Sequence, residues 1–392
     1  MNDIKRKISA VIDSYLPEMS NMADSIFDLA EISGQEYETS SMICNYLENH
    51  GFAVEKGCGF PTAFRAVWDN RKEGAGPAIG ILVEYDALEG IGHACSHHLQ
   101  APTGIAAALA VQKCLADYPC RLIVYGTPAE ETIGGKILML DAGYMKELDL
   151  ALMSHGSPDT SVDEKCMALE NFVITFHGVK AHAAIAPDMG RSAFDAALLS
   201  FHAIEMLREH VKEDTRMHYT VRNAGGPPNV VPETCVAEYT LRSYSTPYLN
   251  TVVERFLDII KGAALMTGTT YDVQRDLPFR SKVVCYKVND LLMKNAEEVG
   301  APCIAPPRKK TGSTDFGNVL YEVPGSCIRI HFVEEGANPH SQEYLDAGKT
   351  GNAHAAIGYA AKIIAGAIAD VLTEPGLLEE IRQEFEACRK NS

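Results

Sequence analysis

The sequence predicts an α/β protein built on a doubly wound, mostly parallel sheet, with a smaller α+β ferredoxin-like domain inserted into it. Three observations carry this. The runs AIGILVEYDA (78–87), RLIVYGT (121–127) and LALMSHG (150–156) are almost continuously apolar, as strands covered on both faces of a parallel sheet are. Segments of helical periodicity separate them, the alternation that builds such sheets. From about residue 167 the pattern changes to strands of alternating polarity in the order β-α-β-β-α-β, and after Ser281 the first pattern returns. At 392 residues the chain exceeds one ordinary core. We therefore expect a discontinuous catalytic domain over 1–166 and 281–392, and an inserted lid over 167–280.

In chain order, residues 3–32 read as helix from Ile4, Ile8, Ile12, Leu16, Met22, Ile26 and Leu29, with Pro17 expected to break or kink it. Thr39 or Ser40 is expected to cap a second helix that ends near Gly51. TAFRAVW (62–68) reads as a strand. The first buried strand follows and ends in EYDALEGIGHACSHH. A small-residue helix covers 101–116, then comes the strand ending in PAEET, a helix over 135–148 and the strand ending at His155. Three successive strands thus deliver polar residues at one end, where open α/β sheets bind ligands.

In the insert, NFVITFHGV is a strand and Ser192 caps a helix to Val211. MHYTVRNAG and CVAEYTLRS are half-exposed strands around the turn-rich GGPPNVVPET. A helix over 247–266 and the strand TTYDVQRD complete it. Beyond Ser281 come a helix over 289–299, the loop APPRKKTGSTDFGNV and the strand SCIRIHF. A loop holding His340, an Ala/Gly/Ile-rich helix over 348–372 and a charged closing helix finish the chain.

Composition narrows the function. Hydrophobic residues make up 46% and charged residues 22%, an ordinary globular balance. The net charge of −17 argues against binding nucleic acid or anionic membranes. Eleven cysteines, odd in number and without regular spacing, suit reduced thiols in a cytoplasm better than a disulfide framework. No secretory pattern is read at the N-terminus, and no apolar run of the ~20 residues that span a membrane is expected. A cytoplasmic location is the expectation.

The chemistry gathers at GIGHACSHHLQAP (90–102), which holds His93, Cys95, His97 and His98. Thiolate and imidazole suit zinc and neighbouring transition metals. A lone Cys-x-His is too short for a zinc finger, so distant segments must supply further ligands. Cys95, His97, Glu131, His155 and His340 form that set, with Glu130 beside it. Glu130 and Glu131 are adjacent on a loop, so one can hold metal while the other faces water and substrate. A carboxylate beside metal-activated water can take a proton and return it to a leaving amine.

The motifs EYDALEGIGHACSHH, YGTPAEETIGGK, MSHG, KAHAAIAPDMGRSAFDA, PPNVVPETCVAEYTLR, GSTDFGN and NPHSQEY run in order through nearly the whole chain. They resemble the metal-dependent aminoacylase/carboxypeptidase amidohydrolases, most of all the branch of p-aminobenzoyl-glutamate hydrolases and N-acyl amino acid amidohydrolases. The resemblance implies a zinc-peptidase-like domain with two divalent ions, zinc or manganese, held by Cys95, His97, Glu131, His155 and His340. It makes Glu130 the general base and acid. His182 matches a lid histidine that commonly serves the partner subunit's site, and Asn229 and Arg242 match lid residues that hold the substrate carboxylate. Asp86 matches an aspartate that orients a ligand imidazole. A homodimer through the lid and a small N-acyl, N-aryl or N-aminoacyl amino acid substrate follow, with a dipeptidase or carboxypeptidase as the alternative.

Two positions depart from the pattern. Relatives usually have HACGH followed by Asp or Asn, where this chain has Ser96 and His98. We expect His98 behind the ligands or lining the pocket. His93, Glu84, Ser313 and Asp315 are expected to play supporting structural roles. Rival readings are a Cys95 nucleophile, which leaves the other convergent ligands unexplained, and a non-catalytic member of the fold.

Overall fold

The computed structural model describes residues 1–72 and 75–390. Helix α1 (Asp3–Leu29) is capped by the Asn2 side chain and runs unbroken through Pro17. The expected break is absent. Ile8, Ile12, Met19, Met22 and Ile26 are buried on both sides of the proline. At about 2 kcal/mol for each such side chain, their burial outweighs the ~3 kcal/mol cost of an interior proline. Helix α2 (Tyr37–Asn49) starts at Glu36, not at Thr39 or Ser40, which lie inside it. Ser40 Oγ instead donates to Thr62 O at 2.7 Å.

Strands β1 (Ala53–Lys56), β2 (Phe64–Asp69) and β3 (Ala78–Val83) precede helix α3 (Gln100–Cys114) and strand β4 (Arg121–Gly126). Helix α4 (Gly135–Asp141) is half the expected length, because the chain turns at Gly143 with φ 90°. Strand β5 (Leu150–Ser157) and the short β6 (Ser161–Val162) follow.

The chain divides into two units, Met1–Cys166 joined by the return segment from Lys282, and Met167–Ser281. In the second, β7 (Ala168–His177) leads to the short β8 (Ala181–His182) and to α5 (Ala193–Leu207), whose Ser192 cap accepts from Asp195 N. Next come β9 (Arg216–Asn223), β10 (Val230–Val231), β11 (Thr234–Ser243), α6 (Thr246–Thr267) and β12 (Thr270–Arg275). The sheet is antiparallel in the order β12-β7-β11-β9, and β8 pairs with β10 apart from it. Alternate residues Phe172, Ile174, Phe176, Tyr239 and Leu241 form this unit's core with Phe256 and Ile260.

The return segment adds α7 (Tyr286–Glu298), α8 (Phe316–Glu322), β13 (Gly325–His331), α9 (Gln342–Ala347), α10 (Gly351–Thr373) and α11 (Leu377–Arg389). The main sheet runs β1-β2-β4-β3-β5-β13-β6, with β4, β3, β5 and β13 parallel. Its central strands β3 and β5 are buried throughout, as their apolar runs require. Helix α10 is long and apolar enough to cross a membrane by length and composition, contrary to the sequence expectation. Its isoleucines and nearly all its alanines are buried within the first unit, so it serves here as a core helix.

Candidate metal centre

The carboxyl ends of β3, β4 and β5 bring the candidate ligands together. His97 opens a single 3₁₀ turn before α3, and His155 lies within β5. Each imidazole has one nitrogen facing only acceptors. His97 Nδ1 donates to Asp86 O (3.0 Å) and Asp86 Oδ1 (3.2 Å), and His155 Nδ1 donates to Gly156 O at 2.8 Å. That leaves both Nε2 lone pairs available. His155 Nε2 is 3.6 Å from Cys95 Sγ, and the two imidazole rings stand at 90° with centroids 5.5 Å apart.

Two three-donor sets share the Cys95 sulfur. Cys95, His97 and His155 form one; Cys95, Glu131 and His340 form the other; the ligand atoms in each lie within 4.8 Å of one another. His340 Nε2 is 3.4 Å from Glu131 Oε1. A backbone bond from His340 N to Ala94 O (2.9 Å) ties the distant loop to the Cys95 segment. His97 Nε2 and Glu131 Oε1 are buried without a hydrogen-bond partner, a costly arrangement unless a cation takes their lone pairs. The electrostatics agree. Burial opposes charge on His97, but Cys95 and Glu84 outweigh it and pull its pKa well above the usual range. The Cys95 sulfur and the Glu131 carboxylate close to it raise His340 to about 10. The donor set and its unpartnered atoms fit divalent transition-metal ions.

The backbone is strained where ligands are aimed. Among the described residues, Ser96 (φ 68°), Ala129 (φ 59°) and His340 (φ 64°) are non-glycine residues in the left-handed region beside this site. The Ser96 side chain bonds to Cys95 O and packs so closely that a Cβ on Gly156 would lie 2.4 Å from its Oγ.

Glu130 and Glu131 diverge as their loop position allows. Glu131 joins Cys95 and His340, whereas Glu130 joins Glu84 and Asp315, and both lie beside His97. Three buried carboxylates hold the backbone of this turn: Glu36 takes Ala129 N (2.9 Å), Asp86 takes Glu131 N (3.1 Å) and Asp315 takes Lys136 N (3.0 Å). Burial, with Glu84, Asp315 and Glu131 nearby, raises the Glu130 pKa well above the ordinary carboxyl value. Burial also works against ionisation of Glu84, yet Lys136, His97 and His155 bring it down to about 2.

Glu36 is not marked by any pattern in the sequence, and Lys136, the last residue of YGTPAEETIGGK, is not singled out there as a site residue. A further signal for Lys136 is its place as a lone lysine in the apolar run GGKILML. His98 faces away from the ligand set: its Nε2 donates to Gly348 O (2.8 Å) and its ring packs on Phe27 with centroids 4.9 Å apart. It belongs to neither three-donor set and joins the loop before α10 to α1.

In the second unit, His182 and Asn229 come together. Val230 pairs with His182 across β8 and β10, and Ala183 N donates to Asn229 O at 3.0 Å. Both are exposed. Arg242 lies on β11, half-buried, and its Nε has no hydrogen-bond partner among the described residues.

Known proteins are similar to this chain in sequence and in fold. A sequence profile described as "Peptidase dimerisation domain" matches residues 169–265. The chain is 32% identical over 397 residues to the Xaa-Arg dipeptidase of Mus musculus, covering 97% of this chain and 92% of that protein. It is 29% identical to one of the p-aminobenzoyl-glutamate hydrolase polypeptides of Escherichia coli (strain K12), covering 98% and 95%. Among solved structures, an aminobenzoyl-glutamate utilization protein from Klebsiella pneumoniae superposes with TM-score 0.73 at 19% identity, covering 93% and 98%. A dinuclear metal-binding peptidase of the M20 family from Bacillus subtilis superposes with TM-score 0.70 at 20% identity, covering 92% and 99%. These structures share the fold.

Proposed function

Because the chain belongs to the M20 family of metal-binding peptidases and amidohydrolases, we propose that it hydrolyses the amide joining an aminoacyl, acyl or aryl-acyl group to a free amino acid. The observation that carries this reading is the pair of three-donor sets sharing Cys95 Sγ, with Glu130 beside them. Cys95, His97 and His155 would hold one divalent ion, and Cys95, Glu131 and His340 the other, zinc or manganese by the donor types. When bound, such ions acidify water and polarise a carbonyl oxygen.

The chain's own residues do the rest. Glu130 takes the proton of the attacking water and delivers it to the departing amide nitrogen, which becomes a free amine. Burial and neighbouring carboxylates raise the pKa of Glu130, which makes the ionised carboxylate a stronger base and lets it hold the proton until the amine departs. Asp86 holds His97 in the tautomer that presents Nε2. Arg242, with its unpartnered guanidinium nitrogen, and Asn229, toward the opposite end of β11, bind the carboxylate of the amino-acid half from two subunits, and His182 stabilises the oxyanion, within a homodimer formed through the second unit.

The substrates named in two relatives, dipeptides ending in arginine and p-aminobenzoyl-glutamate, are the first to test. The 32% identity over 97% of the chain favours the dipeptides. The experiment is a mass-spectrometric screen of zinc- and manganese-loaded protein against both classes and N-acyl amino acids, with and without strong chelator. Cleavage to a free amino acid that chelator abolishes supports the reading; full activity in chelator, or no cleavage by either loaded form, refutes it.

A further inference from the structure

Lys136 sits in the first turn of α4 and is fully buried. Its ammonium lies 2.5 Å from Glu84 Oε1 and 2.7 Å from Asp315 Oδ1, and its backbone N–H is 3.0 Å from Asp315 Oδ2. Glu84, Asp315 and Glu130 each bring an oxygen within 4.8 Å of the others. Three carboxylates so close in a buried setting repel strongly, and the lysine is the cation set among them. A lysine this deep is rare without such partners.

Both ends of this arrangement lead to the hydrolytic site. Glu84 uses its other oxygen to accept from Gln100 Nε2 at 2.6 Å, and that oxygen stands 3.2 Å from His97 Nε2, the nitrogen left free by Asp86. Released from Lys136, Glu84 would be free to turn toward that nitrogen's ligand position. Asp315, gripping both the ammonium and the N–H of the same residue, closes the turn that presents Glu130. The lysine is thus one contact from each of the two groups that must not move.

We propose that Lys136 is a positioning residue for the hydrolysis: an internal cation locked between Glu84 and Asp315 that keeps Glu130 and His97 in their working places. This rests on the roles given above to those two residues. Lys136 itself exchanges no proton and touches no substrate.

A charge-balanced double variant separates positioning from simple neutralisation. Lys136→Met alone leaves surplus negative charge and is expected to lower Tm and turnover. Lys136→Met combined with Asp315→Asn removes one cation and one anion, which relieves the repulsion but not the loss of the clamp. The full chain is loaded with cobalt(II), and melting temperature, bound cobalt, visible spectrum, kcat and KM are measured for the wild type and the single and double variants. The expected result is a double variant with most of its Tm and cobalt restored and KM within about threefold. Its kcat remains lower by about a hundredfold, the usual scale for losing a well-placed acid–base group, and its ligand-field bands are altered. Recovery of kcat together with Tm, or near-wild-type turnover in Lys136→Met, overturns the proposal. Should the wild type cleave nothing in the substrate panel, the functional reading fails on its own. The cobalt spectrum then decides, and bands unchanged in both variants overturn the positioning role.

Discussion

Glu130 and Glu131 are joined by one peptide bond and share His97 as a neighbour, yet their other partners differ, Glu84 and Asp315 for one, Cys95 and His340 for the other. Glu130→Gln keeps the shape and removes the proton carrier, so metal content should hold while kcat falls by about a hundredfold or more. Glu131→Gln should lose one of two ions as well, measured by metal analysis after dialysis. His98 gives a residue-scale pH prediction. Burial lowers its pKa to about 4, against about 6.5 in an unfolded chain. Above pH 6.5 both states are neutral and His98 adds no pH dependence. Between pH 6.5 and 4 only the unfolded chain takes the proton, so folding is penalised progressively, by about 3 kcal/mol at the low end. His98→Gln should therefore flatten the loss of stability across that window, read from urea melts at several pH values. An equal slope in both proteins would contradict it.

At the scale of elements, the decisive piece is the turn between β4 and α4. Ala129 is left-handed, and the carboxylates of Glu36, Asp86 and Asp315 hold the N–H groups of Ala129, Glu131 and Lys136. Gly135 lets this turn close, since a Cβ there would lie 2.0 Å from Pro128 O, a backbone atom with no easy escape. Gly135→Ala should reopen the turn and shift Glu131, costing one metal ion and most activity with secondary structure retained by circular dichroism. Glu36→Ala removes an acceptor shared by Gly34 N, Ala129 N and Thr62 Oγ1. Leaving these buried donors unpaired should cost about 2–3 kcal/mol in denaturant melts.

At the scale of the whole molecule, the second unit carries the dimerisation-domain match and the exposed pair His182 and Asn229. If active sites are completed by the neighbouring subunit, two inactive chains should rescue each other. Mixing His182→Ala with Glu130→Gln chains under conditions of subunit exchange should return a fraction of wild-type activity, at most about a quarter, since one hybrid site in half of the dimers regains both groups. Demonstrated exchange without any rescue would confine His182 to its own chain.

The sequence by itself determined the α/β class, the inserted antiparallel module and the order of its strands. These follow from unbroken apolar runs against alternating ones, a local pattern that survives into the fold. The donor types were legible too, because Cys95-x-His97 and the Glu130–Glu131 pair lie in loops that follow apolar strands and His155 lies near the end of another. Only the tertiary structure decided the rest. Pro17 stays inside α1 because burial on both sides outweighs one lost bond, and α10, apolar enough for a membrane, is taken up by the core. The clamp of Glu84, Lys136 and Asp315 joins residues far apart in the chain; each lies in or beside a motif, and Glu84 and Asp315 are expected to be supporting residues, but nothing local shows that the three meet. A buried charge is recognisable only by the partners that surround it, and those partners are chosen by the packing of strands and turns, not by neighbours in sequence.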